Sequence, residues 1–437
     1  MNIALLRLVI TSQSVMTDRR PIRRGLLLLP FAFLLGCGGD SPTDPGTGTP
    51  TPPSGPRTEA EIYLDAARVA WQFIERKSEP ATGLAWAHNT FQYITVWDMG
   101  SLLAAVHAAH ELGIISDATF HARVARLLET FNTMPMVQNT GFNRTYDAVT
   151  ARMVDRSNAF TNTGTGWSPV DIGRLLVALR ILARDEPQYA ASAQSIVNRL
   201  DMSRLVRSGV IRGSDVDRNG NIYTYREGEL GYEQYGAAGF ALWGFRANEA
   251  LDPNWNSAPV DVYGVPVYND TRGNARITSE PYVMLGMETG FYHPDLRKHA
   301  ERVLAAQEAR FNQDGILTMV SEDALPDPPH YFYYYSVYHD GRIFPVEGPI
   351  SGTYVSGPRW VSSKAAFGYR AIMPTEYTRT VFDAIQTSGI VGSGWGAGVY
   401  EDTLQPTGEP SLNTNAMILE SALYYERQAP FSSESIQ

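Results

Sequence analysis

Four carboxylates stand at the starts of apolar, helix-periodic segments: Asp98, Asp171, Glu233 and Glu280. Two of them have a sufficient reading in helix chemistry. Asp98 lies in Thr95-Val96-Trp97-Asp98 and Asp171 in Ser168-Pro169-Val170-Asp171. A hydroxyl followed three residues later by an acid is a capping box in its Asp form, and Pro169 suits the first helical position. Glu233 has no such reading, because Leu230 stands where a capping hydroxyl would be. Glu280 precedes Pro281, which makes Glu280 the N-cap, a place where Ser, Thr, Asp or Asn is preferred. A carboxyl at a crowded, aromatic opening has its pKa raised by desolvation and can donate a proton near neutral pH. A second, ionised one can act as base or nucleophile, which is the arrangement glycoside cleavage uses. The expected catalytic pair is therefore Glu233 as acid and Glu280 as its partner, with Asp98 and Asp171 holding the opening or binding sugar hydroxyls. The alternative is a buried glutamate held by Tyr, Arg or backbone donors.

The chain carries 23 Tyr and 8 Trp, and Trp97, Trp167, Tyr232, Tyr282 and Trp395 flank the expected helix starts or the loops leading into them. Flat rings with polar tips suit the faces of sugar rings, although most large aromatics of any domain pack the core. The segment from His330 to Tyr338 lies in a long connection, 321–360, of the kind that forms lids or binding loops. Asp215-Val216-Asp217-Arg218-Asn219-Gly220 matches the opening of a calcium loop, but Arg226 stands at its twelfth position. A tight polar turn competes with structural calcium at Asp215, Asp217 and Asn219, and no cofactor is required otherwise. No P-loop, G-x-S-x-G or dinucleotide fingerprint is present.

The formal charge of -10 and the lack of a Lys/Arg block in the body of the chain argue against a nucleic-acid partner. Near the start, Arg19, Arg20, Arg23 and Arg24 precede an apolar run, 25–35, too short to span a bilayer. It ends in Leu34-Leu35-Gly36-Cys37, which resembles a bacterial lipobox, and Cys37 is the one cysteine of the chain. The resemblance implies lipidation of Cys37 and a membrane-anchored protein at the periplasmic or outer-membrane face of a bacterial envelope. The expected organisation is a lipoprotein signal peptide at 1–37, a Pro/Gly/Thr linker at 38–57 and a single domain at 58–430.

Helical periodicity places helices near 59–77, 97–112, 117–132, 169–185, 188–200, 231–249, 280–290, 295–311, 362–372, 375–388 and 412–426. Those starting near 97, 169, 231, 280, 362 and 412 are apolar on all sides and should be buried, while the others carry a charged face. Six inner helices alternating with outer ones give an all-α (α/α)6 toroid with long loops and small β-hairpins at the mouth. The pattern shows five outer helices. Where the sixth is due, between Ala250 and Thr278, the sequence reads as a hairpin.

The stretches around Trp97-Asp98-Met99-Gly100, Gly166-Trp167-Ser168-Pro169-Val170-Asp171, Gly231-Tyr232-Glu233-Gln234-Tyr235, Glu280-Pro281-Tyr282, Ser363-Lys364-Ala365-Ala366-Phe367 and Asn413-Thr414-Asn415-Ala416 resemble the bacterial domain-of-unknown-function 3131 family across 60–428. More distantly, Ser168-Pro169-Val170-Asp171, Tyr232-Glu233-Gln234 and Pro281-Tyr282 resemble helix starts of glucoamylase-like toroids, some of which act on β-1,2-glucans. That likeness implies the toroid and the Glu233/Glu280 assignment. It departs at Gln234 and Tyr235, where the relatives carry Ala next to the glutamate. Sugar contacts are expected from Asp98, Asp171, Trp97, Trp167, Tyr232, Tyr282, Lys364 and Trp395. The reading is a membrane-tethered monomer that hydrolyses or transglycosylates an oligo- or polysaccharide. A non-catalytic glycan-binding lipoprotein and a polysaccharide lyase stand as alternatives.

Overall fold

The computed structural model describes residues 57–436 apart from 218 and 274. The expected signal segment, Cys37 and the linker up to residue 56 lie outside the described residues. Thirteen helices form among those described: α1 (Glu59–Lys77), α2 (Val96–Glu111), α3 (Asp117–Thr133), α4 (Pro169–Asp185), α5 (Ala190–Asn198), α6 (Met202–Leu205), α7 (Tyr232–Ala241), α8 (Asn248–Leu251), α9 (Glu280–Thr289), α10 (Pro294–Asp314), α11 (Ser363–Ile372), α12 (Glu376–Ile385) and α13 (Leu412–Arg427). Six of them, α2, α4, α7, α9, α11 and α13, touch in that order, and α13 returns to α2 to close an inner ring. Helices α1, α3, α5, α10 and α12 lie outside it, on α13, α2, α4, α9 and α11 respectively.

The inner ring is possible because its helices lack a polar face: all ten residues of α9 are buried. Close approach adds to this. A Cβ on Gly173 of α4 would stand 2.4 Å from the backbone oxygen of Gly236 in α7, and one on Gly239 would stand 2.2 Å from that of Gly173. The small residues of the segment that starts at Gly231 are thus a backbone-to-backbone seam. That helix stops at Ala241, short of the expected 249, and Gly244 at φ 86° turns the chain away.

In place of a sixth outer helix, Ser257–Val262 pairs antiparallel with Val265–Asp270 and packs on α10. The sequence supports this locally. Val260, Val262, Val265 and Val267 are β-branched, and Tyr263 and Gly264, at φ 55° and 81°, form the two-residue hairpin turn.

Candidate active site

Five inner helices present their first residues to one cavity of about 1110 Å³: Trp97 and Asp98 of α2, Asp171 of α4, Tyr232 of α7, Lys364 of α11 and Asn413 of α13. Further walls come from strands Ile222–Arg226, Glu322–Ala324 and Phe332–Tyr335, from the turn that carries Glu227 and Glu229, and from loop residues that include His88, Arg144, Tyr331 and Glu409.

Neither expected catalytic glutamate lines this cavity. Glu233 is fully buried and held by two arginines: Arg226 donates two bonds of 2.7 Å and Arg272 a third of 2.9 Å. Arg226 in turn lies 3.8 Å over the Trp255 ring. This corrects the sequence reading. The carboxylate heads an apolar helix because it ties strand Ile222–Arg226 and the end of the 257–270 hairpin to the inner ring. Glu280 is the first residue of α9, with Ser279 as N-cap, and is also fully buried. It forms an ion pair with Lys364 and accepts from Asn413 Nδ2 (2.7 Å) and Tyr232 OH (3.3 Å). Both oxygens are occupied beneath the cavity floor, so Glu280 is a holder of Lys364 and Asn413 rather than a free base.

Asp323 belongs to the same floor. It accepts from Trp360 Nε1 (2.8 Å), Ser362 Oγ (3.0 Å) and Thr414 Oγ1 (3.3 Å), and Lys364 Nζ lies 3.4 Å away. The residue before it on the strand, Glu322, lies beside this network and hydrogen-bonds the Tyr232 hydroxyl. Burial, and next the negative charge of Glu280, push the Glu322 carboxyl up to about 8, against the pull of Lys364. Sequence reasoning missed Glu322; the signal was Ser321-Glu322-Asp323, an acidic pair at the start of a short strand.

Asp98 and Asp171 do reach the cavity. Asp98 makes the full capping box with Thr95, whose hydroxyl donates to it at 2.6 Å. Burial, outweighing those Thr95 bonds, raises it to about 6. At Asp171 only half of the expected box forms: its N–H donates to Ser168 Oγ at 3.2 Å, and no return bond to the Ser168 backbone is made. Burial and the charge of Glu227 push Asp171 up to about 7. Glu227 itself is gripped by Arg144 at 2.9 and 3.2 Å, and Glu229 by Arg276 at 2.8 Å.

Of the expected sugar contacts, Trp97, Asp98, Asp171, Tyr232 and Lys364 line the cavity. Trp167, Tyr282 and Trp395 do not; each is fully buried, and the indoles of Trp167 and Trp395 donate to the carbonyls of Arg212 and Ala66. They are core residues, which corrects the expectation. The expected calcium loop is the polar turn between strands Val210–Val216 and Ile222–Arg226. Asp215 accepts from Arg156 at 2.9 Å, while Asp217 caps the turn by accepting from the N–H groups of Asn219 (2.9 Å) and Asn221 (2.7 Å). The two carboxylates are thus engaged by separate partners. Away from the cavity, His110, Glu111 and Glu186 bring ligand atoms within 4.8 Å of one another, but Glu111 is bonded to Arg427 and His110 to Asp117.

The toroid is similar to solved structures of low sequence identity. A glucoamylase-like protein from Bacteroides caccae superposes with TM-score 0.61 at 14% identity, over 84% of this chain and 94% of that one. An endo-β-1,2-glucanase from Chitinophaga pinensis, in complex with sophorotriose and glucose, gives TM-score 0.59 at 14% identity, over 85% and 93%. An endo-β-1,2-glucanase from Talaromyces funiculosus, in complex with β-1,2-glucan, gives 0.57 at 10% identity, over 83% and 84%. At such identities the likeness establishes the glucoamylase-like helical toroid. No curated protein matches the chain. The match of the DUF3131 model, described as "Protein of unknown function", spans residues 65–428, and this chain belongs to that family.

Proposed function

We propose that the cavity is the active site of a glycoside hydrolase or transglycosylase acting on an uncharged glycan, with Glu322 as general acid and Asp98 as base or nucleophile. The observation that carries this is that Glu322 and Asp98 both line the cavity, each close enough to the Lys364–Glu280 ion pair to feel its charges, while burial raises both carboxyls, Glu322 to about 8 and Asp98 to about 6. Between those values one is protonated and the other ionised, which is the division of labour two-carboxylate cleavage needs. Glu322 gives its proton to the glycosidic oxygen as the C–O bond breaks and is left as a carboxylate. Asp98 takes a proton from an attacking water, or attacks the anomeric carbon and is later displaced. Water as acceptor gives hydrolysis; a sugar hydroxyl gives transglycosylation. That glucanases of the same toroid were solved in complex with sophorotriose and with β-1,2-glucan supports a glycan as the ligand class.

Charge selects the class of glycan. Asp98, Asp171, Glu227, Glu229, Glu322, Asp323 and Glu409 line the cavity against Arg144, Arg226 and Lys364. Each of these cations is already ion-paired, to Glu227, Glu233 and Glu280. Among the described lining residues a uronate would meet no unpaired Lys or Arg, which argues against the lyase alternative. We read the strand pairs 322–324/332–335 and 210–216/222–226 as the hairpins of the mouth.

Reducing-end release from a panel of β-1,2-glucan, other neutral polysaccharides and a polyuronate tests the proposal. Turnover of a neutral glycan should rise through about pH 6 as Asp98 ionises and fall through about pH 8 as Glu322 loses its proton. Binding without turnover would favour the glycan-binding alternative, and an unsaturated product from the polyuronate would favour the lyase. We further propose that lipid on Cys37 tethers the protein to the envelope, on the strength of the lipobox-like Leu34-Leu35-Gly36-Cys37 that follows a basic and then an apolar segment. Incorporation of a labelled fatty acid by the wild type and not by Cys37→Ser is the expected result.

A further inference from the structure

The aromatic rings of the cavity form a ladder in depth. Tyr232 lies at the floor, 8% exposed. Trp97, Phe332 and Tyr334 are intermediate. At the outer edge Tyr225 is 36% and Tyr331 58% exposed, and both still line the cavity. Alternation on strand Phe332–Tyr335 buries Tyr333 and Tyr335 and leaves Phe332 and Tyr334 for the cavity. The outermost ring is held at a conformational cost: Tyr331 has φ 60°, a left-handed backbone that a bulky L-residue rarely adopts. Nothing in core packing rewards that strain, since most of the side chain faces solvent. Strain combined with an exposed ring at a cavity rim is the signature of a surface kept for a ligand.

We infer that Tyr331 and Tyr225 are outer sugar-stacking positions, so that the substrate of this site is a polymer or long oligosaccharide that runs past the rim. This rests on the reading of the cavity as a glycan site and deepens it. Flat rings at an opening hold successive sugar faces without demanding a particular hydroxyl pattern. The volume, about 1110 Å³, lies at the upper end of the roughly 300–1,000 Å³ usual for ligand clefts and leaves room for several sugar rings. Tyr225 is also held in position, because Arg144 donates to its phenol oxygen at 2.6 Å. The residue paired with it across the ladder is Gly213, over which the Glu227 carboxylate folds, 1.9 Å from where a Cβ would stand.

The test compares affinity for polymeric β-1,2-glucan and for sophorotriose, measured by calorimetry on the full chain. The wild type should prefer the polymer. In Tyr331→Gly that preference should fall about tenfold, the size of one lost stacking contact. Glycine accepts a positive φ without strain, so this variant should unfold no earlier than the wild type, which separates a binding loss from misfolding. Tyr225→Phe, which keeps the ring, should retain the preference that Tyr225→Ala loses. A wild type that binds both probes equally, or a Tyr331→Gly chain with unchanged preference, overturns the inference. A chain that holds the polymer without cutting it leaves these outer positions standing and removes the hydrolase reading. A chain that binds neither these probes nor any neutral polysaccharide of the panel overturns both.

Discussion

Exchanging each of two glutamates for glutamine should separate chemistry from support. Glu322→Gln removes the one proton the mechanism needs while keeping the shape of the side chain. General acid assistance contributes about 10²–10⁴-fold, so kcat on a natural glycan should fall by that factor, or about 3–5.5 kcal/mol in barrier height. An aryl glycoside with a good leaving group needs no protonation and should be cut almost as fast by the variant as by the wild type. Glu233→Gln should behave in the opposite way. It takes the negative partner from Arg226 and Arg272, whose side chains are 20% and 26% exposed. Breaking a fully buried pair costs about 3–5 kcal/mol, and partial hydration of these arginines reduces that to about 2 kcal/mol. Denaturant unfolding reads the loss, and kcat in the folded variant should stay within a few-fold of wild type. Wild-type kcat in Glu322→Gln on a natural glycan would refute the assignment. So would a collapse of kcat in Glu233→Gln without loss of stability.

Arg174 is fully buried inside the ring, ion-paired to Glu288 and donating a hydrogen bond to Glu420, whose carboxyl burial pushes up to about 8. The folded chain therefore keeps a proton there that the unfolded chain releases above about pH 4.5, so stability from this site is present at low pH and is lost as pH rises through about 8. Glu420→Gln should flatten the fall in unfolding free energy between about pH 5.5 and about pH 8.5, as measured in urea. At the α4–α7 seam, Gly173→Ala puts a methyl 2.4 Å from a backbone oxygen that no rotamer change can move. The helices must separate, at about 1–3 kcal/mol, visible as a lower denaturation midpoint at unchanged m-value.

The toroid was legible because its signal is periodic and repeated. Every one of the eleven expected stretches contains a helix, and the place without one was marked by Val260, Val262, Val265 and Val267 around Tyr263-Gly264. The site was legible only in part. Helix starts could be read, so Trp97, Asp98, Asp171, Tyr232 and Lys364 could be placed at the mouth, where they line the cavity. Partners could not be read. Nothing near Glu233 announces that Arg226 and Arg272 close on it, because those arginines come from a strand and from the end of a hairpin whose packing the sequence does not spell out. Glu322 escaped for the converse reason. Its importance comes from what surrounds it, Glu280 and Lys364, both far away along the chain, and a short strand in a long connection carries no periodic signature. Trp167 and Trp395 show the limit of placement by helix start, since a ring beside an N-terminus can face either the mouth or the core.

The same network makes Lys364 the residue on which the proposed chemistry turns. Its charge lowers the pKa of both Glu322 and Asp98 against the burial that raises them. Lys364→Met keeps the length of the stem and removes that charge. Both carboxyls should then hold their protons to higher pH, so both limbs of the pH–rate profile move in the alkaline direction together. This differs from the effect of losing a proton donor, which removes rate without carrying the two limbs along. Glu280 and Asp323 would also lose their cation in a buried setting, and the fold should weaken by about 3–5 kcal/mol unless one of them takes up a proton. The measurement is therefore a pair: the pH profile of the residual activity and the unfolding free energy across the same pH range. If the limbs stay at about 6 and about 8 in the variant, Lys364 does not set them, and the pKa ordering that distinguishes acid from base must come from somewhere other than this ion pair.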